Sequence, residues 1–107
     1  MNPCEFVVAF STIDSEKEAL KIAKALVEAH LAACVNVVPK VISVYEWKAE
    51  ICDETEVMLI IKTQQGRLEE LKATLDEMHP YEVPELIVMP ITDGLPDYLS
   101  WLLTNTK

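Results

Sequence analysis

Between Glu56 and Thr63 the chain reads Glu-Val-Met-Leu-Ile-Ile-Lys-Thr, a continuous apolar run rather than an alternating one. Successive side chains of a strand point to opposite faces, so a strand of this kind has to be covered on both. Any fold for this chain must therefore supply two layers of cover. The rest of the pattern supplies helices enough for one.

Glu5-Phe6-Val7-Val8-Ala9-Phe10 predicts a first strand, being short, apolar and rich in β-branched and aromatic residues. Ser15-Glu16-Lys17-Glu18 carries a Ser-x-x-Glu capping box, in which hydroxyl and carboxylate each satisfy an orphan backbone N–H. Leu20, Ala23, Val27 and Leu31, flanked by Ala19, Ile22 and Leu26, then recur at helical spacing and predict a helix ending near His30. His30 reads as a last-turn residue favoured by the helix dipole. An extended segment follows from Ala33 to Lys48. Pro39 cannot donate to a ladder, so it marks a bulge, a bend or a free edge. Beyond it Val41, Ser43, Tyr45 and Trp47 face one side and Ile42, Val44, Glu46 and Lys48 the other. Ala49 to Glu54 reads as a hairpin tip whose acids, with Glu56, form a solvated loop; the other reading is a metal-capturing cluster, against which no EF-hand spacing or Gly is present. After the apolar run, Leu68, Leu71, Leu75 and Met78 form the stripe of a second helix. A fourth strand is expected over Glu85–Ile91 and a turn over Thr92–Leu95. Pro96 fits the first position of a short last helix carrying Leu99, Trp101 and Leu102.

Strand, helix, strand, strand, helix, strand and a terminal helix make one α+β domain over residues 1–107, a ferredoxin-like βαββαβ sandwich. Its second-to-third-strand hairpin outruns the sheet. Two helices cover one sheet face, yet Val7-Val8 and Val57 to Ile61 are apolar on both. An apolar face of that size is too large for an ordinary monomer. The pattern predicts an oligomer whose sheets face one another and whose arms reach neighbours.

The net charge of −9, with Arg67 the single arginine, argues against nucleic acid or an anionic membrane as partner. No apolar run reaches the roughly 18 residues of a membrane span, and the N-terminus has no basic region followed by an apolar one. A cytoplasmic protein is expected. Cys4, Cys34 and Cys52 are odd in number and widely spaced, which speaks against a disulfide framework or thiolate zinc site. Cys34 reads as a buried small hydrophobe, Cys4 and Cys52 as exposed thiols without an activating neighbour.

Met78-His79-Pro80-Tyr81-Glu82-Val83-Pro84-Glu85 is the stretch richest in chemistry. Two prolines four residues apart hold the backbone between them extended. A stiff connector presenting imidazole, phenol and carboxylate suits binding, although His79 also reads as a polar cap on a Pro-stopped helix. Lys62, near the end of the apolar run, reads either as a snorkelling lysine or as an anion partner in a cleft.

Leu31-Ala32-Ala33-Cys34-Val35-Asn36, Ser43-Val44-Tyr45-Glu46-Trp47-Lys48, Glu56 to Thr63, His79 to Glu85 and Tyr98-Leu99-Ser100-Trp101 together resemble the CutA divalent-cation tolerance proteins. The match is colinear over nearly the whole chain. The resemblance implies a tightly packed homotrimer whose arms pair with neighbours, a cytosolic setting, and architecture similar to the PII signalling proteins. It also implies divalent-metal binding of copper type, Cu2+ or another divalent cation, with no organic cofactor. The family's metal-ligand positions fall on Ser11, Met78 and Glu85, of which Glu85 alone keeps the family's residue. His79 adjoins this set. Met78 reads as core packing or as a soft thioether ligand.

Glu85 and His79 are thus the candidate metal ligands. Trp47, Lys62 and Tyr81 are the candidate lining of an inter-subunit cleft. Two other readings stand beside metal binding: a PII-like sensor taking an anionic small molecule at Lys62, and a trimeric scaffold. Catalysis is not expected. No Ser/His/Asp pattern, phosphate-cradling Gly loop or activated Cys is evident.

Overall fold

A computed structural model describes residues 5–107; Cys4 lies outside the described residues. The order is β1 (Phe6–Ile13), α1 (Glu16–Glu28), β2 (Cys34–Trp47), β3 (Glu50–Gln64), α2 (Leu68–Met78, entered through a 3-10 turn Gln65–Arg67), β4 (Ile87–Pro90) and α3 (Pro96–Thr104). The four strands form one sheet in the order β2-β3-β1-β4. Every neighbouring pair is antiparallel. This is the ferredoxin-like arrangement, with an added C-terminal helix.

Both helices after β1 and β3 pack on one face. Ala9, Ile13, Val57, Leu59 and Ile61 meet Ala19, Ile22 and Leu26 of α1 and Leu71 and Leu75 of α2 in the main core. The buried stripe of α1 is Ala19–Ile22–Ala23–Leu26, whereas Leu20 and Val27 are exposed. Periodicity alone set the stripe one position off, because small alanines take the closest approach to the sheet. Ser15 caps α1 by accepting from the Glu18 N–H at 3.2 Å. The helix closes before His30, which has φ 58°. The His30 N–H donates to Val27 O and the Leu31 N–H to Leu26 O, the Schellman closure that glycine usually supplies. His30 is therefore outside the helix rather than in its last turn. Arg67, the one arginine, donates from Nε to His30 O and from Nη2 to Ala29 O, so its charge finishes α1.

Pro39 sits in a bulge: Val38 pairs with Met58 but Val41 with Glu56, so β2 carries one extra residue. The strand is also a sheet edge, where a missing N–H leaves no partner unsatisfied. The hairpin reverses at Lys48-Ala49, with φ 50° and 68°. Positive φ at both positions is the geometry of a two-residue type I′ hairpin. The tip is therefore shorter than the expected Ala49–Glu54, and Ile51 to Glu54 belong to β3. Because β1 pairs only with Val57–Gln64 of β3, the rest of the hairpin projects as a two-stranded arm. The molecule is accordingly elongated, 46 × 25 × 22 Å. The fourth strand is shorter than expected, Ile87–Pro90, since residues 80–86 form no ladder.

Among the described residues the far face of the sheet is covered at one end only. There Phe6 packs with Ala33, Leu99 and Leu102, bringing α3 onto the sheet. Beyond it Phe10 lies opposite Ile60 on one side and Ile87 on the other, and Val8 opposite Lys62 and Met89. Ile87 and Met89 are 57% and 50% exposed. Cys34 belongs to this face as the cross-strand partner of Lys62, and it is half-buried rather than buried. Cys52 is half-buried on the arm, with Sγ 3.8 Å from Glu50 O.

Ser11 is fully buried between Ala9 and Ile13 on the helix-facing side of β1, and its Oγ has no hydrogen-bond partner among the described residues. A desolvated hydroxyl without a partner costs about 1–3 kcal/mol. Ser11→Ala should therefore raise the denaturant midpoint, by about 1 kcal/mol of added stability after the lost packing is counted. A fall in the midpoint would mean that the hydroxyl has a partner in solution.

Candidate functional site: an acidic, aromatic-walled cleft

Three pieces of chain meet at the root of the arm: the end of β1, the arm, and the segment from His79 to Glu85. Between them lies a cleft of about 610 Å³. Its carboxylates are Asp14, Glu54, Glu56, Glu82 and Glu85, and its aromatic walls are Tyr45, Trp47 and Tyr81. No lysine or arginine lines it among the described residues.

The acids are held individually. Tyr81 Oη donates to Glu56 Oε2 at 2.6 Å, which supplies a partner for a carboxylate otherwise buried at the start of the apolar run. Tyr45 Oη donates to Glu54 Oε1 at 2.8 Å. Thr12 Oγ1 donates to Glu85 Oε1 at 3.1 Å. Burial, and then the hydrogen bond to Glu56, raise the Tyr81 phenol above its ordinary range. The hydrogen bond to Glu54 comes first in raising Tyr45, to about 12.

A raised phenol pKa means that the native state holds its proton where the unfolded chain has lost it. The Tyr45 contribution is thus complete below pH of about 10, the unfolded value. It is lost as pH rises through about 12. Glu54→Ala should shift phenolate absorbance from Tyr45 to lower pH. An unchanged titration would show that the pair does not persist in solution.

His79 lies just behind the cleft, 6% exposed. Its Nε2 is 2.8 Å from Thr12 O, and its Nδ1 accepts from the Tyr81 N–H at 3.2 Å. Its ring meets the Tyr81 ring edge-on at 4.6 Å. Its backbone N–H donates to Leu75 O at the end of α2, so it is a helix cap as well.

Of the sequence-derived candidates, Trp47, Tyr81 and Glu85 line one cleft, and His79 supports it from behind. Lys62 is not part of this cleft in the single chain. Its Nζ lies 6.0 Å from the Tyr98 ring centroid, at the α3 end of the sheet. Ser11 and Met78, the other positions set by the resemblance, turn to the helix side, where Met78 packs on the main core. They do not join Glu85. Among the described residues no three His, Cys, Asp or Glu side chains are grouped to hold a metal ion. Sequence reasoning missed Thr12, Tyr45 and the structural part of Glu56. Only the position of Glu56, heading a buried strand, hinted that it was no loop acid.

Fold and cleft together define a small ferredoxin-like domain with a projecting arm and a strongly acidic recess at its root. The chain matches the family described as CutA1 divalent ion tolerance protein over residues 7–105. It belongs to that family. A relative from Thermus thermophilus, "Divalent-cation tolerance protein CutA", is 46% identical over 92% of this chain and 96% of its own length. "Protein CutA, chloroplastic" from Arabidopsis thaliana is 43% identical over 94% of this chain, which spans only 56% of that plant protein. The solved structure described as the periplasmic divalent cation tolerance protein CutA from Archaeoglobus fulgidus superposes with a TM-score of 0.92. It is 33% identical, covering 95% of this chain and 99% of the other. No helix among the described residues is long and apolar enough to cross a membrane.

Proposed function

We propose that this protein is a trimeric, non-catalytic divalent-cation-binding protein of metal tolerance, and that cations enter the cleft beside Glu85. The observation that carries the reading is a recess with five carboxylates and, among the described residues, no basic lining residue. Such a recess concentrates cations by its field. Membership of a divalent ion tolerance family supports the same sign of ligand. One chain groups too few donors to close a coordination sphere. Water or a neighbouring subunit supplies the rest, as is common for cations bound by few carboxylates. The half-covered apolar face carrying Phe10, Ile60, Ile87 and Met89 supports the trimer. The reading includes a cytoplasmic setting, and the charge of −9 supports neither nucleic acid nor an anionic membrane as partner.

Of the family's metal-ligand positions Glu85 alone reaches the cleft, because Ser11 and Met78 face the core. The test is a Mn(II) calorimetric titration of the purified oligomer, with Glu85→Ala alongside. The expected result is micromolar binding, near one ion per subunit, lost in the variant. No heat, or heat unchanged in Glu85→Ala, removes the metal reading.

A second reading, a PII-like anion sensor, is favoured by one feature: Lys62 lies on the open sheet face beside Tyr98. Uptake of an anion abolished by Lys62→Ala, with no uptake of cations, decides for it.

A further inference from the structure

We propose that His79 is a positioning residue and not a ligand, so that this chain meets any cation in the cleft with oxygen donors alone. The proposal rests on the cation reading of the cleft. Its starting point is the pairing of both ring nitrogens. The Tyr81 backbone N–H can only donate, so Nδ1 of His79 must offer its lone pair to it. The Thr12 carbonyl can only accept, so Nε2 must carry the proton. The neutral Nε2–H tautomer satisfies both bonds at once and leaves no lone pair for a metal. Binding an ion through either nitrogen would leave the Thr12 carbonyl or the Tyr81 amide without its partner.

The two bonds also explain why the imidazole is there. Thr12 receives His79 at its carbonyl and, through Oγ1, holds Glu85. Tyr81 gives its amide to His79 and, through Oη, holds Glu56. A single chain of contacts therefore runs Glu56–Tyr81–His79–Thr12–Glu85, with the imidazole at its centre. Residues 80–86 have no strand ladder to fix them. His79 pins that segment to β1 and so sets the spacing of two cleft carboxylates.

What remains in the cleft is carboxylate, phenol and hydroxyl oxygen. That donor class suits hard cations such as Mn(II) or Mg(II) better than copper, which favours imidazole and sulfur. The chemistry thus points away from the copper-type ion that the resemblance implies.

The experiment uses the full chain with ring-15N histidine, Zn(II) as a diamagnetic probe, and calorimetry to count uptake. His30→Gln separates the two histidine spectra. The expected result is a His79 Nε2–H tautomer in the free protein whose Nδ1 signal stays in place at Zn(II) saturation. His79→Ala should speed exchange of the Tyr81 amide by about tenfold, the weight of one hydrogen bond. It should weaken Zn(II) binding by about 10–100-fold, as loss of a supporting partner does. His79→Asn, which keeps a donor for Thr12 O, should recover part of both. A Zn(II)-induced move of either His79 nitrogen into the metal-bound range overturns the proposal. So does unaltered Tyr81 exchange in His79→Ala. If the wild-type protein takes up no cation, the cation reading of the cleft fails by itself, while the tautomer and the exchange rate still decide whether His79 is the pin.

Discussion

Ile60→Asp is expected to reduce the proposed trimer to single chains, a threefold fall in mass by light scattering. Ile60 lies on the far face of the sheet, opposite Phe10 and Asn36, where the two helices after β1 and β3 do not reach. If three such faces meet, the substitution buries three carboxylates in apolar contact. Each costs several kcal/mol without a partner. The main core on the other face is untouched, so the chain itself should remain folded by circular dichroism. Leu20→Asp, on the exposed side of α1, is the matched control and should leave the mass unaltered. A full-mass Ile60→Asp oligomer would rule out assembly through this face.

Phe6→Ala should be the most damaging single truncation to the chain's own stability. Phe6 has no exposure and joins Ala33, Leu99 and Leu102 in the small second core. Truncating a buried phenylalanine costs about 3–5 kcal/mol. A domain of this size has only about 5–15 kcal/mol in total. The loss should also fall locally: α3 has few other apolar anchors, so amides of Leu99 to Leu103 should lose exchange protection before those of α1. A midpoint within about 1 kcal/mol of wild type would mean that the second core is already loose.

The sequence announces the fold where its signals are physical and local. The two-sided run from Glu56 to Thr63 marks a central strand, and Pro39 marks the edge strand and its bulge. Pro96 opens α3 as its fixed φ allows. The arm's turn was hidden because neither Lys48 nor Ala49 is a glycine, asparagine or aspartate, the residues that usually advertise positive φ. The end of α1 was blurred for the same reason, with His30 in the place of a glycine.

The candidate site was legible as a list of residues, not as a geometry. Tyr81 and Glu85 announce themselves beside two prolines. Their partners Glu56 and Thr12 come from distant strands that periodicity cannot pair. His79 drew attention as an imidazole. Its two bonds, which determine what that imidazole can do, depend on a carbonyl 67 positions away. Lys62 stands opposite Cys34 and Val8 on the far face, a register that no local signal gives.

The strand order carries a consequence for biosynthesis. β1 leaves the ribosome first, yet its two neighbours in the sheet are β3 and β4. The hairpin of β2 and β3 can close as soon as both are made, since its contacts are local. β1 must wait for β3 on one side and for almost the whole chain on the other. Long-range pairing of this kind is slow and leaves apolar edges open meanwhile. Phe6, Val8 and Phe10 are therefore the residues that a nascent chain has to keep from the wrong partners longest.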